Sequence, residues 1–274
     1  MNGGPAEFEP TLSIAVITPA RNERNNLVGV LGTLSKQRLR PNLWVIMDDA
    51  STDGTYELAS RLAEENEWIR VWKTNSLGNW SDRSFTAFRS GTEVLSEAYD
   101  LLVKLDADTR LPSSYFEIIA NRFREHAQLG IAGGVNASEW NMGHHIRGNN
   151  RVYLRECWKS LDLPDNGIGW DTIDIIIARE NGWRTELFTD LVCSHLRGRF
   201  REVNYSLRLG RISRHLGYYP WYAFGRAVLI MVKQGAIPAG SYLFGYLLDG
   251  GGVADPRFRR IIRADQLKRM RMFP

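Results

Sequence analysis

The chain has 274 residues, 43% of them hydrophobic, which is enough for one large α/β domain or for one domain with an extension. Its net charge of +4 is uneven: Arg197 to Pro274 carries 15 Lys and Arg against 4 Asp and Glu, a balance of +11, and the residues before it balance at −7. The basic segment points to an anionic partner, which could be phosphate, nucleic acid or an acidic membrane surface.

Met1 to Pro10 is polar and lacks the charged-then-apolar pattern of a signal peptide, so residues 1–10 are expected to be a disordered tail. Leu12–Thr18 reads as a buried strand. Leu27, Val30, Leu31 and Leu34 recur at helical spacing and predict a helix over 24–37. Pro41 stops it, and Leu43–Met47 forms a second strand. A helix follows from Thr55 to Asn66, then a short strand over Trp68–Lys73. A Gly- and Asn-containing loop, Thr74–Trp80, leads to a helix over 82–97. Leu101–Leu105 is the fourth strand. Ser114 and Glu117 have capping-box spacing at the start of a helix that carries Phe116, Ile119, Ala120 and Phe123. Gly130–Val135 is another short strand. The alternation of strand and helix predicts a mainly parallel sheet covered by helices on both faces.

A helix is predicted over Asn150–Ser160, and a second from Trp170 to Asn181, ended by Gly182. Leu187–His195 reads as a final strand. The chain beyond Gly198 is helical, aromatic and basic. Two cysteines, Cys157 and Cys193, make no disulfide framework, and reduced thiols in a cytosolic protein are expected. Trp221–Leu248 comes nearest to a membrane span. Arg226, Lys233, Gln234 and Pro238 interrupt it, whereas a span needs about 20 predominantly apolar residues.

Three apolar strands end in polar or acidic signatures. The first runs into Pro19-Ala20-Arg21-Asn22-Glu23. The second ends Leu-Trp-Val-Ile-Met-Asp48-Asp49 and continues Ala-Ser-Thr-Asp53-Gly54-Thr55. The third reads Leu-Leu-Val-Lys-Leu-Asp106-Ala-Asp108. On an extended segment residues i and i+2 share a side, so Asp106 and Asp108 can face one hard cation. Mg²⁺ is commonly held by one or two carboxylates, with water and phosphate oxygens completing its shell. Ligands of such sheets bind beyond the carboxyl ends of the strands, where all three signatures fall.

Together these signatures, in this order, resemble the family 2 glycosyltransferases, which have the GT-A fold, over roughly residues 11–196. The resemblance implies inverting transfer of a sugar from a nucleotide diphosphate donor to an acceptor hydroxyl, with Mg²⁺ or Mn²⁺. The default donor is a UDP-sugar, with a GDP-sugar the other candidate. By the same resemblance Pro19, Ala20, Arg21 and Glu23 line the nucleoside pocket. Asp48 or Asp49 reads the base, and Arg83 lies near the nucleotide. Asp106 approaches the ribose or the metal, Asp108 binds the metal, and His195 completes its shell. The family usually has Glu-Asp at a helix start on the acceptor side. Here that place reads Trp170-Asp171, which makes Asp171 the candidate general base and Trp170 a candidate stacking platform.

Plainer roles compete. Asp171 could cap its helix, Asp53 suits a turn and a cap, and His195 could be a core histidine. A nucleotidyltransferase would show a Gly-rich, basic loop after the first strand, where this chain has Pro-Ala-Arg-Asn-Glu. A catalytically silent nucleotide-sugar binder is the third reading. The expected organisation is a tail over 1–10, a catalytic domain over 11–196 and a helical extension over 197–274. Expected partners are the donor and a glycan or lipid-linked acceptor, with peripheral contact at the cytoplasmic face of a membrane and no nucleic acid.

Overall fold

The computed structural model describes residues 11–74, 83–96, 98–137, 145–165, 167–195, 203–248 and 255–271. The predicted disordered tail and most of the Thr74–Trp80 loop lie outside them. Among the described residues eight strands form one sheet in the order β3-β2-β1-β4-β7-β6-β8-β5. They are β1 Ile14–Ala20, β2 Leu43–Asp49, β3 Ile69–Thr74, β4 Leu101–Leu105, β5 Thr109–Arg110, β6 Leu129–Asn136, β7 Asn150–Leu154 and β8 Arg184–His195. β1 runs parallel to β2 and β4, β2 to β3, and β6 to β8. β7 is antiparallel to both β4 and β6, and β5 to β8.

The central strands are buried on both faces, as their continuous apolar runs require. Even-numbered Val16, Trp44 and Ile46 share a core with Leu27 and Leu34 of α1 (Arg24–Ser35), Ala59 of α2 (Thr55–Glu65) and Phe116 of α4 (Tyr115–Glu125). The indole N–H of Trp44 is satisfied there by the Thr18 hydroxyl at 2.9 Å. Odd-numbered Ile17 and Met47 face the other side, against Gly91 of α3 (Arg83–Glu93). A Cβ at Gly91 would sit 2.6 Å from Ile17, so glycine is what lets α3 approach the sheet. Helices thus cover both faces.

Two details differ from the sequence reading. Residues 150–160 are a strand, β7, followed by the short helix α5 (Arg155–Ser160), because Asn-Arg-Val-Tyr-Leu fills the gap between β4 and β6. The capping box at Ser114 does not form. Ser114 takes the N-cap position without a side-chain hydrogen bond, and Glu117 pairs instead with Arg38 at 3.3 Å.

The chain divides into two compact units. One holds the sheet with α1–α5, and the other holds residues 161–181 and the C-terminal helices. The helices of the second are α6 (Trp170–Glu180), α7 (Val203–His215), α8 (Pro220–Gln234), α9 (Ala236–Leu248) and α10 (Pro256–Arg271). Its core gathers Ile173 and Ile177 of α6 with Leu216, Ala227, Ile230, Tyr242 and Ile262. No described helix is long and apolar enough to cross a membrane.

Candidate active site at the strand ends

The loops after β1 and β2 are stapled to each other. Asn22 and Ala50 both take positive φ, at 56° and 54°, without being glycine. The backbone N–H of Asn22 donates to the Ser51 hydroxyl, and that of Thr52 to the Asn22 side-chain oxygen at 2.8 Å. Glu23 N–H donates to Thr55 Oγ1 and Arg24 N–H to Asp53. Asp53 also accepts the Thr55 N–H at 3.0 Å, so it does the turn and cap chemistry its sequence suggests. Its slight burial opposes ionisation, but the bonds from Thr55 and Arg24 outweigh that and hold the carboxyl below its ordinary value. Glu23 starts α1, its backbone carbonyl accepting from the Asn26 and Leu27 N–H groups, while its carboxylate accepts from the Asn26 side chain at 2.7 Å. Pro19 and Ala20 are the last residues of β1, opposite Met47 and Asp48.

Asp48 and Asp49 are both buried, but their surroundings differ. Arg83 Nε lies 2.8 Å from Asp49 Oδ2, and Arg21 bonds the Asp49 carbonyl at 3.0 Å with its NH1 3.8 Å from the same carboxylate oxygen. Asp49 is therefore a paired buried charge. Among the described residues Asp48 Oδ2 receives the Ser51 N–H, at 3.3 Å, and its buried Oδ1 finds no hydrogen-bond partner. A buried acceptor left unsatisfied costs about 1–3 kcal/mol and calls for an explanation such as a ligand donor.

At the end of β4 the i, i+2 relation falls on Lys104 and Asp106. Lys104 is buried, and its ammonium lies 2.5 Å from Asp106 Oδ1 and 3.1 Å from the Gly148 carbonyl. The Asp106 N–H donates to the Asn149 carbonyl at 2.9 Å. Asp106 and Asp108 themselves sit on a turn closed by the Thr109 N–H on the Asp106 carbonyl, not on an extended segment. The turn delivers Asp108 to His195, because Thr109 pairs with His195 across β5 and β8. His195 Nδ1 and Asp108 Oδ1 are 3.6 Å apart, with side chains 10% and 25% exposed. Among the described residues no cluster of three or more His, Cys, Asp and Glu forms a complete metal shell. Asp108 and His195 supply an oxygen and a nitrogen donor together, a set that fits a divalent ion. Lys104 is the residue the sequence reading passed over. Its signal was a lone lysine in an apolar strand, two places before an acid.

Asp171 and Trp170 belong to the helical unit. The N-cap of α6 is Gly169, at φ +71°, and Asp171 lies in the first turn beyond it, half-buried. It is therefore not the cap, although its charge suits the positive helix end. Burial holds the Tyr218 hydroxyl above its ordinary pKa; Arg226 opposes this, and Tyr222 and Asp171 add to it. Trp170 is 3% exposed, so its ring is engaged in packing and offers no open face for stacking.

The sequence pattern of glycosyl transferase family 2 matches residues 15–175, more than half of the chain. A 4,4'-diaponeurosporenoate glycosyltransferase of Staphylococcus haemolyticus is 34% identical over 126 residues, 46% of this chain and 32% of that protein. A polyprenol monophosphomannose synthase of Mycolicibacterium smegmatis is 33% identical over 105 residues, 38% of each. The chain thus spans about a third of the length of these relatives. Among solved structures, the mannosyltransferase PcManGT from Pyrobaculum calidifontis, in complex with GDP-Man and Mn²⁺, aligns over 95% of this chain and 81% of its own. Its TM-score is 0.60 at 17% identity. Residues 1–349 of S. aureus TarS in complex with UDP align over 94% and 92%, with a TM-score of 0.53 at 14% identity. These likenesses carry the fold.

Proposed function

The chain belongs to glycosyl transferase family 2 and has a GT-A fold, and from that premise we propose that it is a glycosyltransferase that moves a sugar from a nucleoside diphosphate donor to an acceptor hydroxyl with inversion. The observation that carries the donor assignment is the orphan oxygen of Asp48. Asp49 is neutralised by Arg21 and Arg83, so Asp48 is the residue that reads the base. A carboxylate accepts the ring N–H of uracil or guanine. At neutral pH cytosine and adenine have no such donor. The arginine pair then holds Asp49 as the wall of the nucleoside pocket, beside Pro19, Ala20 and Glu23.

Asp108 and His195 would hold Mg²⁺ or Mn²⁺, and Asp106, held by Lys104, turns its remaining oxygen to the ribose. The ion, when bound, offsets the negative charge that the departing diphosphate develops. Asp171 takes the proton of the attacking hydroxyl. The acceptor is a glycan or a lipid-linked molecule, met at the cytoplasmic face of a membrane; two relatives, a diaponeurosporenoate glycosyltransferase and a polyprenol monophosphomannose synthase, support the lipid side of that reading.

A melting-temperature panel tests the reading. UDP and GDP are expected to raise the midpoint with Mn²⁺ and less with chelator, whereas CDP and ADP move it little. A ligand at a hundredfold excess over Kd stabilises by about 2.7 kcal/mol. Equal shifts with all four nucleotides, or a Uracil–guanine preference that survives Asp48→Ala, would remove Asp48 from base reading.

A further inference from the structure

We propose that the outer face of the α8–α9 hairpin is a membrane-docking surface that lies in the headgroup region of an anionic bilayer. This rests on the membrane-side reading of the acceptor and not on the donor chemistry. In sequence, the apolar stretch here is broken by Arg226, Lys233, Gln234 and Pro238. The fold removes each break from one face. Arg226 turns inward: its Nε is buried and its guanidinium lies 5.9 Å from the Tyr242 ring centroid. Lys233 and Gln234 close α8 at the turn, where Gly235 takes φ +102°. Pro238 falls in the first turn of α9, where proline is tolerated.

What remains outside is two uncharged stripes. On α8, Trp221, Phe224, Val228 and Val232 recur at i, i+3, i+7 and i+11, one helical face, and all are exposed. On α9, Ile237, Phe244 and Leu248 recur at i, i+7 and i+11 and are exposed as well. Val232 and Ile237, on either side of the turn, are 72% and 71% exposed. The opposite faces, with Ala223, Ala227 and Ile230 on α8 and Ala239, Tyr242 and Tyr246 on α9, share one core. Both stripes are thus turned away from the same interior. Exposed apolar side chains gathered along one face in this way mark an interaction site.

The charge selects the occupant. In sequence the segment from Arg197 to Pro274 balances at +11, and among its described residues Arg257, Arg260 and Lys268 of α10 are exposed. A second copy would bring the same positive charge against it, whereas an anionic leaflet is complementary. Tyr219 stacks on Trp221 at 4.1 Å at the start of α8, and Arg263 lies over Tyr219. Aromatic rings beside cations suit the headgroup level. Neither helix spans a bilayer, so the contact is interfacial.

Co-sedimentation of the full chain with phosphatidylcholine vesicles, with and without phosphatidylglycerol, tests this. Binding is expected to need the anionic lipid, to weaken with salt, and to quench Trp221 when brominated lipid is used. Val232→Glu with Ile237→Glu is expected to weaken it roughly tenfold or more, leaving the nucleotide-induced melting shift intact. A second pair, Phe224→Ser with Phe244→Ser, should behave alike. No vesicle binding at low salt, binding that either folded pair retains, or a dimer in solution that Val232→Glu breaks would overturn the proposal. None of these outcomes touches the nucleotide shift, which fails only if the donor reading fails.

Discussion

Two carboxylates that look alike in sequence are given different work by partners far along the chain. Asp49 is engaged by Arg21 and Arg83, while Asp48 keeps an unsatisfied oxygen. Adjacent strand residues point to opposite faces, so a pair of acids at a strand end cannot share one environment. The same logic applies to Asp106, whose partner is Lys104. In the proposed site Lys104, buried and bonded to Asp106 and to the Gly148 carbonyl, acts as a positioning residue for the Asp106 carboxylate. Lys104→Met, which keeps the volume, is expected to weaken donor affinity roughly tenfold, as for loss of one charge-assisted hydrogen bond, with less effect on kcat. In an Asp106→Asn background the same change should have little further effect. Lowered stability with unchanged donor affinity would reduce Lys104 to packing. Asp171→Asn should retain donor binding and lose transfer on the order of 10²–10⁴-fold, the range for removing a general base. Gly169 holds the N-cap, so this substitution leaves the cap in place. Near-normal turnover by the variant would take Asp171 out of the mechanism.

Elements were legible where one physical signal dominated. β1, β2 and β4 are buried on both faces, and their apolar runs with acidic ends could be read directly. The acids at those ends were legible too, but their roles were not, because the decisive arginines and lysine are tertiary neighbours. β7 escaped the reading because Arg151, an arginine, is wholly buried within it. A charged residue in a five-residue strand imitates the polar face of a helix. Nothing local signals that Arg151 will pair across to Lys104 in β4. At Ser114 the motif was present but the backbone was not. Its φ of −92° and ψ of 4° depart from the extended conformation of a capping residue, and Glu117 was drawn to Arg38. The Asp53 turn was legible because its bonds to Thr55 span two residues. Its carboxyl is held below the ordinary value of 3.8, so the stabilisation is present above that pH and is lost on further acidification.

Among the described residues the two compact units each have a hydrophobic core of their own. One forms around the sheet, and the other joins α6 to the C-terminal helices. The second depends on backbone contact between α7 and α9. A Cβ on Gly210 would lie 2.0 Å from the Tyr242 carbonyl oxygen, and one on Gly245 2.1 Å from that of Leu207. These are backbone atoms, which cannot swing aside as a flexible side chain would, so the helices must separate. The nucleotide ligands proposed above, by contrast, lie on the sheet unit. Cooperative unfolding as one transition is the rule for small single domains, and two cores need not obey it. Calorimetry is therefore expected to resolve two transitions. UDP or GDP with Mn²⁺ should raise the transition of the sheet unit, and Gly245→Ala should lower the other by several degrees, since about 1 kcal/mol moves a midpoint by 4–8 °C in a domain of 60–100 residues. A single transition that both perturbations move together would mean that the helices and the sheet fold as one cooperative body. The helical unit would then be part of the catalytic fold itself and not an extension attached to it.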